Sequence, residues 1–260
     1  MPPPRALSPS GLVLVDKPEG PSSFAAVRVL RDRTGARAGH AGTLDPFASG
    51  LLLVLLGAST RLAQFLVGLD KRYVTEIDLR SRTSTGDREG EELERLEPPP
   101  RSELEEAVAA LVGEVELRVP AASAVKIGGK RAYRLHRRGV AIEMPLRRTT
   151  VHSAELLGYA EGAATLDLRV GSGTYVRAIA DAIGGHCQTL RRTAVGPFRV
   201  EDADQERILP PVKALPFLPL VEVGADEVLA IRTGRSRREE PVRVVHDGEL
   251  VAVDGTVMPS

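Results

Sequence analysis

The residue best placed to do chemistry is an aspartate in a loop of small residues. Asp45 stands in Gly39-His40-Ala41-Gly42-Thr43-Leu44-Asp45-Pro46, with Ala48 just beyond. An Asp-Pro step by itself is a turn former whose carboxylate accepts backbone hydrogen bonds. Here Gly39, Ala41, Gly42 and Ala48 leave room for another molecule to approach the backbone, and a carboxylate held in such a loop is positioned to serve as a nucleophile. Far downstream, Tyr175 and Arg177 lie two apart. In an extended segment they project to one side, an aromatic face beside a guanidinium. An arginine near Asp45 would keep the carboxylate ionised and oriented, and a tyrosine would give a planar ring something to stack on. The plainer reading of the pair is a snorkelling arginine and a core tyrosine.

Local pattern supplies the elements that must hold these groups. Leu12 to Val15 reads as a strand that stops at Asp16-Lys17-Pro18-Glu19-Gly20. Ser22 or Ser23 caps a helix that runs to about Arg33 and ends at Gly35. The stretch from Gly39 to Pro46 is too rich in turn formers for a regular element and reads as an ordered loop. Leu51 to Leu56 is a buried strand and Ser59 caps a further helix, while Arg72 to Arg80 alternates, placing Tyr73, Thr75, Ile77 and Leu79 on one face. Ser102 with Glu105 makes a capping box ahead of Leu104, Val108 and Leu111. Val151 to Tyr159 and Thr165 to Val170 form a hairpin, and Val176 to Ile183 has helical spacing. Four prolines between 210 and 219 mark a boundary, beyond which Asp247-Gly248 joins two short strands in a segment near the lower limit for folding alone, expected to dock on the larger body.

Composition closes off other classes. At 260 residues, 42% hydrophobic and 27% charged, the chain is neither disordered nor fibrous, and its longest aliphatic run, Leu51 to Leu56, is far too short to span a bilayer. One cysteine, Cys187, excludes an internal disulfide and a Cys-based zinc site. Gly171-Ser172-Gly173 lacks the third glycine of a dinucleotide fingerprint, and Gly129-Lys130 lacks the rest of a phosphate loop. Charge is balanced, 35 basic against 35 acidic, yet segregated. Lys126, Lys130, Arg131, Arg134, Arg137, Arg138, Arg147 and Arg148 face a single acid, Glu143, whereas Asp87 to Glu106 is acidic. Such a block is either a solvated face or a local positive field for a polyanion, since fields act over about 10 Å.

Asp16-Lys17-Pro18, the loop from Gly39 to Pro46, Lys71-Arg72-Tyr73 and Gly173-Thr174-Tyr175-Val176-Arg177, in that order, resemble the motifs of the TruB family of bacterial tRNA pseudouridine-55 synthases, over roughly residues 11 to 210. The resemblance implies an α/β fold of α+β type, with a mixed, mainly antiparallel central sheet and flanking helices. It implies isomerisation of uridine to pseudouridine at position 55 in the T loop of tRNA, on a flipped-out base, with no cofactor and no metal. Asp45 is then the nucleophile and Arg177 its ion-pair partner. Tyr73 and Tyr175 contact the target base, Tyr73 also serving proton transfer, and Leu190 walls the pocket. His40 stabilises the flipped-out loop, and Lys17, with Pro18, belongs to a loop beside the substrate.

The same resemblance organises the rest of the chain. Residues 1–10 are a disordered tail, 11–212 a catalytic domain, 120–148 a thumb-like insertion, and 219–260 an abbreviated, mostly β segment similar to a PUA domain. In the thumb, Lys126, Lys130, Arg131 and Arg134 are the implied contacts to the T arm, with a short helix around Lys130 to Arg138. A basic, glycine-containing loop buries little apolar surface, so it is expected to order on RNA. The partner implied is tRNA, through its T-arm stem-loop, with no membrane and no obligatory protein partner, for a cytoplasmic monomer.

Overall fold

The computed structural model describes residues 9–236, 241–253 and 256–258. Most of the expected N-terminal tail therefore lies outside the described residues. Ser10, at its end, is anchored, its Oγ lying 3.0 Å from Ser59 Oγ. The chain divides into two compact units, Met1–Val67 with Gly196–Ser260, and Gly68–Val195.

In the first unit the apolar run forms strand β1 (Gly11–Lys17), followed by helix α1 (Ser23–Thr34). Ser22 caps it, accepting from the Ala25 N–H, and Gly35 closes it in the left-handed conformation. Strand β2 (Ala38–His40) departs from the expected loop. Its residues pair with the end of β3 (Ser49–Leu56), Gly39 opposite Leu55 and His40 opposite Val54. Strand β3 is fully buried over Leu51 to Leu56, so its backbone groups need partners that water cannot supply. Strand β1 supplies more of them, from Gly11 opposite Leu56 to Lys17 opposite Gly50. Ser59 does not cap a helix: it sits inside a 3-10 turn, Gly57–Leu62, ahead of α2 (Ala63–Val67), and its hydroxyl is engaged by Ser10.

The second unit begins with β4 (Lys71–Asp78), whose alternation is the one expected, with Lys71, Tyr73, Thr75 and Ile77 buried. A hairpin of β5 (Ser81–Thr83) and β6 (Glu92–Arg95) leads to α3 (Arg101–Ala110), which buries Leu104 and Val108. The capping box is not made. The helix starts at Arg101, so Ser102 falls inside its first turn and Glu105 pairs with Arg101 at 2.7 Å. Strand β7 (Gly113–Arg118) precedes the basic insertion, in which β8 (Lys126–Ile127) and β9 (Lys130–Arg131) form a hairpin. Gly128 and Gly129, at φ 54° and 79°, supply the two left-handed positions of its turn. Because Lys130 and Arg131 are committed to that hairpin, α4 (Ala132–His136) is shorter than expected. Then follow β10 (Leu146–Ala160), β11 (Ala163–Val170), α5 (Val176–Ala182) and β12 (His186–Val195). Strands β12, β4, β11, β10 and β7 lie side by side in that order, all antiparallel.

The chain returns to the first unit through β13 (Phe198–Arg199) and β14 (Asp204–Leu209), the latter pairing with the free edge of β1. The C-terminal segment holds β15 (Leu220–Glu222), α6 (Ala225–Arg232), β16 (Arg243–His246), β17 (Glu249–Val253) and β18 (Thr256–Val257), a four-stranded sheet plus a helix that the sequence reading did not anticipate. Val228 and Ile231 of that helix pack with Val223, Val244 and Val251. This small core is tied to the rest of its unit, Arg61 donating to the Val257 carbonyl at 2.9 Å and Gln64 to Thr256 Oγ1 at 3.1 Å. The fold is thus mixed α/β with mainly antiparallel sheets. Among the described residues no helix is long and apolar enough to cross a membrane.

Candidate active site

In the first unit the Asp45 turn is clamped at both ends. The Ser23 hydroxyl accepts from the Leu44 N–H at 2.8 Å and donates to the Leu44 carbonyl at 2.9 Å, so one buried side chain fixes the peptide before Asp45. On the other side, the Pro46 carbonyl accepts from the Gly20 N–H at 2.8 Å and from Lys17 Nζ at 3.3 Å. Lys17 is fully buried, and its ammonium also donates to the carbonyls of Pro18 at 2.7 Å and Pro21 at 2.9 Å. It therefore ties the turn after β1 to the Asp45 turn, a positioning role. Leu44, Phe47 and Ala48 are buried around Asp45, which itself is half-buried. His40, at the end of β2, is half-buried one residue before the start of this loop.

In the second unit the strand register gathers several expected residues on one sheet face. Tyr73 is opposite Arg192 and Thr75 opposite Leu190. Cross-strand partners share a face, so Tyr73, Leu190 and Arg192 form one patch, all nearly buried. Thr75 Oγ1 donates to the Thr189 carbonyl at 2.6 Å where β12 bulges between Cys187 and Thr189, which fixes the step before Leu190.

Tyr175 and Arg177 are not both extended. Tyr175 is, as the residue preceding α5, whereas Arg177 is already helical, within a run from Val176 to Ala180 that is buried at every position. Tyr175 packs at the base of the insertion, on the cluster of Val119, Ala132 and Met144. The insertion thus carries a small apolar core of its own, contrary to the expectation for a basic loop.

Arg177 is 3% exposed and its guanidinium is a hub. Nη1 donates to the Thr85 carbonyl at 2.7 Å and faces Asp87 Oδ2 at 3.3 Å, while Nη2 donates to the Ala122 carbonyl at 3.0 Å. Asp87 is equally buried, and its Oδ1 accepts from Thr85 Oγ1 at 2.6 Å and from the Glu89 N–H at 3.1 Å. The two charges are paired and further hydrogen bonds reach both groups, the condition for two ions to stay buried. Gly86, at φ 73°, makes this possible: a Cβ there would lie 3.3 Å from Arg177 Cβ, and only glycine adopts the conformation freely.

Asp87 is the site residue that sequence reasoning missed, one acid within an acidic stretch. The signal available was the same as for Asp45, an aspartate beside Thr85 and Gly86 in a turn. Lys71 is a second residue whose environment its sequence neighbours do not betray. Burial and the positive charge of Arg192, partly opposed by Asp70, push its ammonium down to about 8.

In the insertion Lys126, Lys130, Arg131 and Arg134 are exposed, as phosphate contacts require. Arg131 donates to the Ala124 carbonyl at 2.6 Å and Arg134 to Tyr133 Oη at 3.2 Å. Arg134 and Arg137 each sit 5.8 Å from the Tyr133 ring centre, and the hydrogen bond and charge of Arg134 hold that phenol below its usual range. Among the described residues, no three His, Cys, Asp or Glu side chains gather as a metal site.

The arrangement of strands, and with it the class of fold, is shared with a solved structure. A Cbf5-Nop10-Gar1 complex contains a chain that superposes with a TM-score of 0.70 at 26% identity, covering 94% of this chain and 77% of that one. That likeness defines the class. Residues 28–176 match the model of the TruB family of pseudouridylate synthases, N-terminal domain. The tRNA pseudouridine synthase B of Leifsonia xyli subsp. xyli is 43% identical over 232 residues, 83% of this chain and 76% of that protein. The tRNA pseudouridine synthase B of Syntrophobacter fumaroxidans is 37% identical, covering 96% of this chain and 94% of its own length. The chain belongs to the TruB family, and so to the pseudouridine synthases.

Proposed function

We propose that the protein isomerises uridine to pseudouridine at position 55 in the T loop of tRNA, with Asp45 as nucleophile, acting in the cytoplasm as a monomer without cofactor, metal or protein partner. The observation that carries this reading is the 43% identity to a tRNA pseudouridine synthase B over 83% of the chain. The rigid Asp45 turn supports it, because a nucleophile gains most from being held in one geometry.

The target base leaves its stack at a cost of a few kcal/mol, which stacking and phosphate contacts offset. Tyr73 and Tyr175 contact the extruded base, Leu190 walls the pocket and His40 supports the opened loop. Asp45, with Arg177 in the role of its ion-pair partner, attacks ribose C1′ or uracil C6. The N1–C1′ bond breaks, the uracil turns, a C5–C1′ bond forms, and the bond to the Asp45 oxygen breaks to return the free carboxylate. C5 loses its proton, with Tyr73 in the transfer, and N1 gains one, so the product is an isomer of the substrate. Lys126, Lys130, Arg131 and Arg134 hold phosphates of the T arm, while Lys17 steadies the turn that carries Asp45.

The test is release of tritium from C5-labelled uridine in a T-arm stem-loop by the purified chain alone. Stoichiometric release is expected. Binding without release would mean an RNA-folding role instead, and free uracil among the products would mean a hydrolase. Asp45→Asn removes the charge and nearly keeps the shape, so it should bind the stem-loop normally and release no label. Substantial release by that variant would overturn the assignment of Asp45.

A further inference from the structure

Phe24 is the most exposed of the five phenylalanines, at 65%, in a chain with no tryptophan and only four tyrosines. A singly exposed apolar side chain is ordinary, so exposure alone means little. Its position means more. Phe24 is the second residue of α1, directly after Ser23, whose hydroxyl clamps the Leu44 peptide beside Asp45. One turn further, on the same face, stands Arg28, also exposed. Of the three arginines of α1, Arg31 is satisfied by Asp32 and Arg33 by Glu206, while Arg28 has no hydrogen-bond or ion-pair partner among the described residues. The helix whose first residue clamps the Asp45 turn thus presents, on one face, an exposed ring and an exposed guanidinium.

We propose that this face of α1 is a second RNA contact, in which Phe24 stacks on an unpaired base of the loop and Arg28 holds a nearby phosphate. The proposal rests on the tRNA reading above. An RNA loop opened by extrusion of one base leaves neighbouring bases unstacked, and such bases are taken up on aromatic side chains with arginine on the flanking backbone. A protein partner would have equal use for Phe24, but an exposed arginine one helical turn from the ring, on the helix that clamps the Asp45 turn, favours a polyanion and hence RNA.

The test compares Phe24→Ala, Arg28→Ala and, as a control, Val29→Ala, which is 61% exposed on a different face of the same helix. Truncating an aromatic ring on which a base stacks typically weakens binding about 5- to 100-fold. Phe24→Ala should therefore raise Kd and KM for a T-arm stem-loop by a factor in that range and leave kcat at saturation unchanged. Arg28→Ala should weaken binding and reduce the slope of log K against log salt by about one. Val29→Ala should match the unaltered chain in all three readouts. Unchanged binding in Phe24→Ala and Arg28→Ala overturns the proposal, as does a fall in kcat with constant KM, which would make Phe24 a support of the Asp45 turn. Either result is distinct from failure of the functional reading itself, in which the unaltered chain converts no uridine.

Discussion

Arg177 and Asp87 form a buried ion pair, Nη1 lying 3.3 Å from Oδ2, with the two side chains 3% and 7% exposed. The pair joins the turn after β5 to the start of α5, and through Nη2 it also grips the Ala122 carbonyl at the base of the insertion. Removing one partner of such a pair strands the other charge without water. Asp87→Ala is expected to lower stability by about 3–5 kcal/mol. Asp87→Asn, which keeps an acceptor for Thr85 Oγ1 and the Glu89 N–H, should cost less. If Arg177 acts in catalysis, Asp87→Asn should also depress kcat more than it raises KM, because the guanidinium loses the group that orients it. Urea titration and steady-state kinetics on the two variants check both statements, and equal stability loss in both would show that the acceptor retained in Asp87→Asn contributes nothing.

Lys17 gives a second prediction. Lys17→Met keeps the length and apolar stem but leaves the carbonyls of Pro18, Pro21 and Pro46 without this donor. Pro18, Pro21 and Pro46 are themselves exposed and the Pro46 carbonyl keeps the Gly20 N–H, so water can replace part of what is lost and the total cost should be about 1–3 kcal/mol. The loss should be accompanied by faster amide exchange at Gly20, whose N–H shares the Pro46 carbonyl with the ammonium. Exchange at Gly20 equal to that of the unaltered chain would place the role of Lys17 elsewhere.

The contrast between these residues explains what the sequence could reveal. The cap at Ser22 and Gly35, the alternation from Lys71 to Ile77 and the turn at Asp247-Gly248 depend on neighbours within a few positions, and all are present as read. The misread elements depend on distant partners. Strand β2 exists because β3 needs its edge filled, and Ser59 caps nothing because Ser10 takes its hydroxyl. Ser102 falls inside its helix because the chain enters α3 two residues early, with Pro100 in the capping position. Asp87 looks like one acid among several until Arg177, from a different element, is packed against it. The Asp45 motif was legible as a sequence, but the Ser23 and Lys17 clamps that immobilise it were not.

The basic insertion yields a third prediction. Arg134, Arg137 and Arg138 are all exposed, and the first two flank the Tyr133 ring. Their joint replacement by Ala should weaken T-arm binding and lessen its dependence on salt, by about 0.7 to 0.9 in log–log slope for each phosphate left without its cation. The buried cluster of Val119, Ala132 and Met144 is untouched, so melting temperature should hold. Fluorescence titrations at several salt concentrations supply the slope. An unaltered slope would move the phosphate contacts to another surface.

Lys71 gives the last prediction, one of pH dependence. It is buried at the start of β4, donating to the Leu69 carbonyl and to Ser172 Oγ. Burial, followed by the charge of Arg192, lowers its pKa from 10.5 to about 8, against a smaller raising effect of Asp70. Between those two values the unfolded chain keeps a proton that the folded chain has shed. Stability therefore rises with pH across that window. Well below pH 8 both states are protonated, and the buried charge is a constant penalty. Lys71→Met removes the titration altogether, so the stability difference between the unaltered chain and the variant should be flat below about pH 7.5 and shift toward the unaltered chain as pH climbs from 8 towards 10. Urea midpoints of the two proteins across that range measure it. A difference that does not move with pH would mean that Lys71 binds its proton equally well folded and unfolded, and that the cation of Arg192 is screened from it.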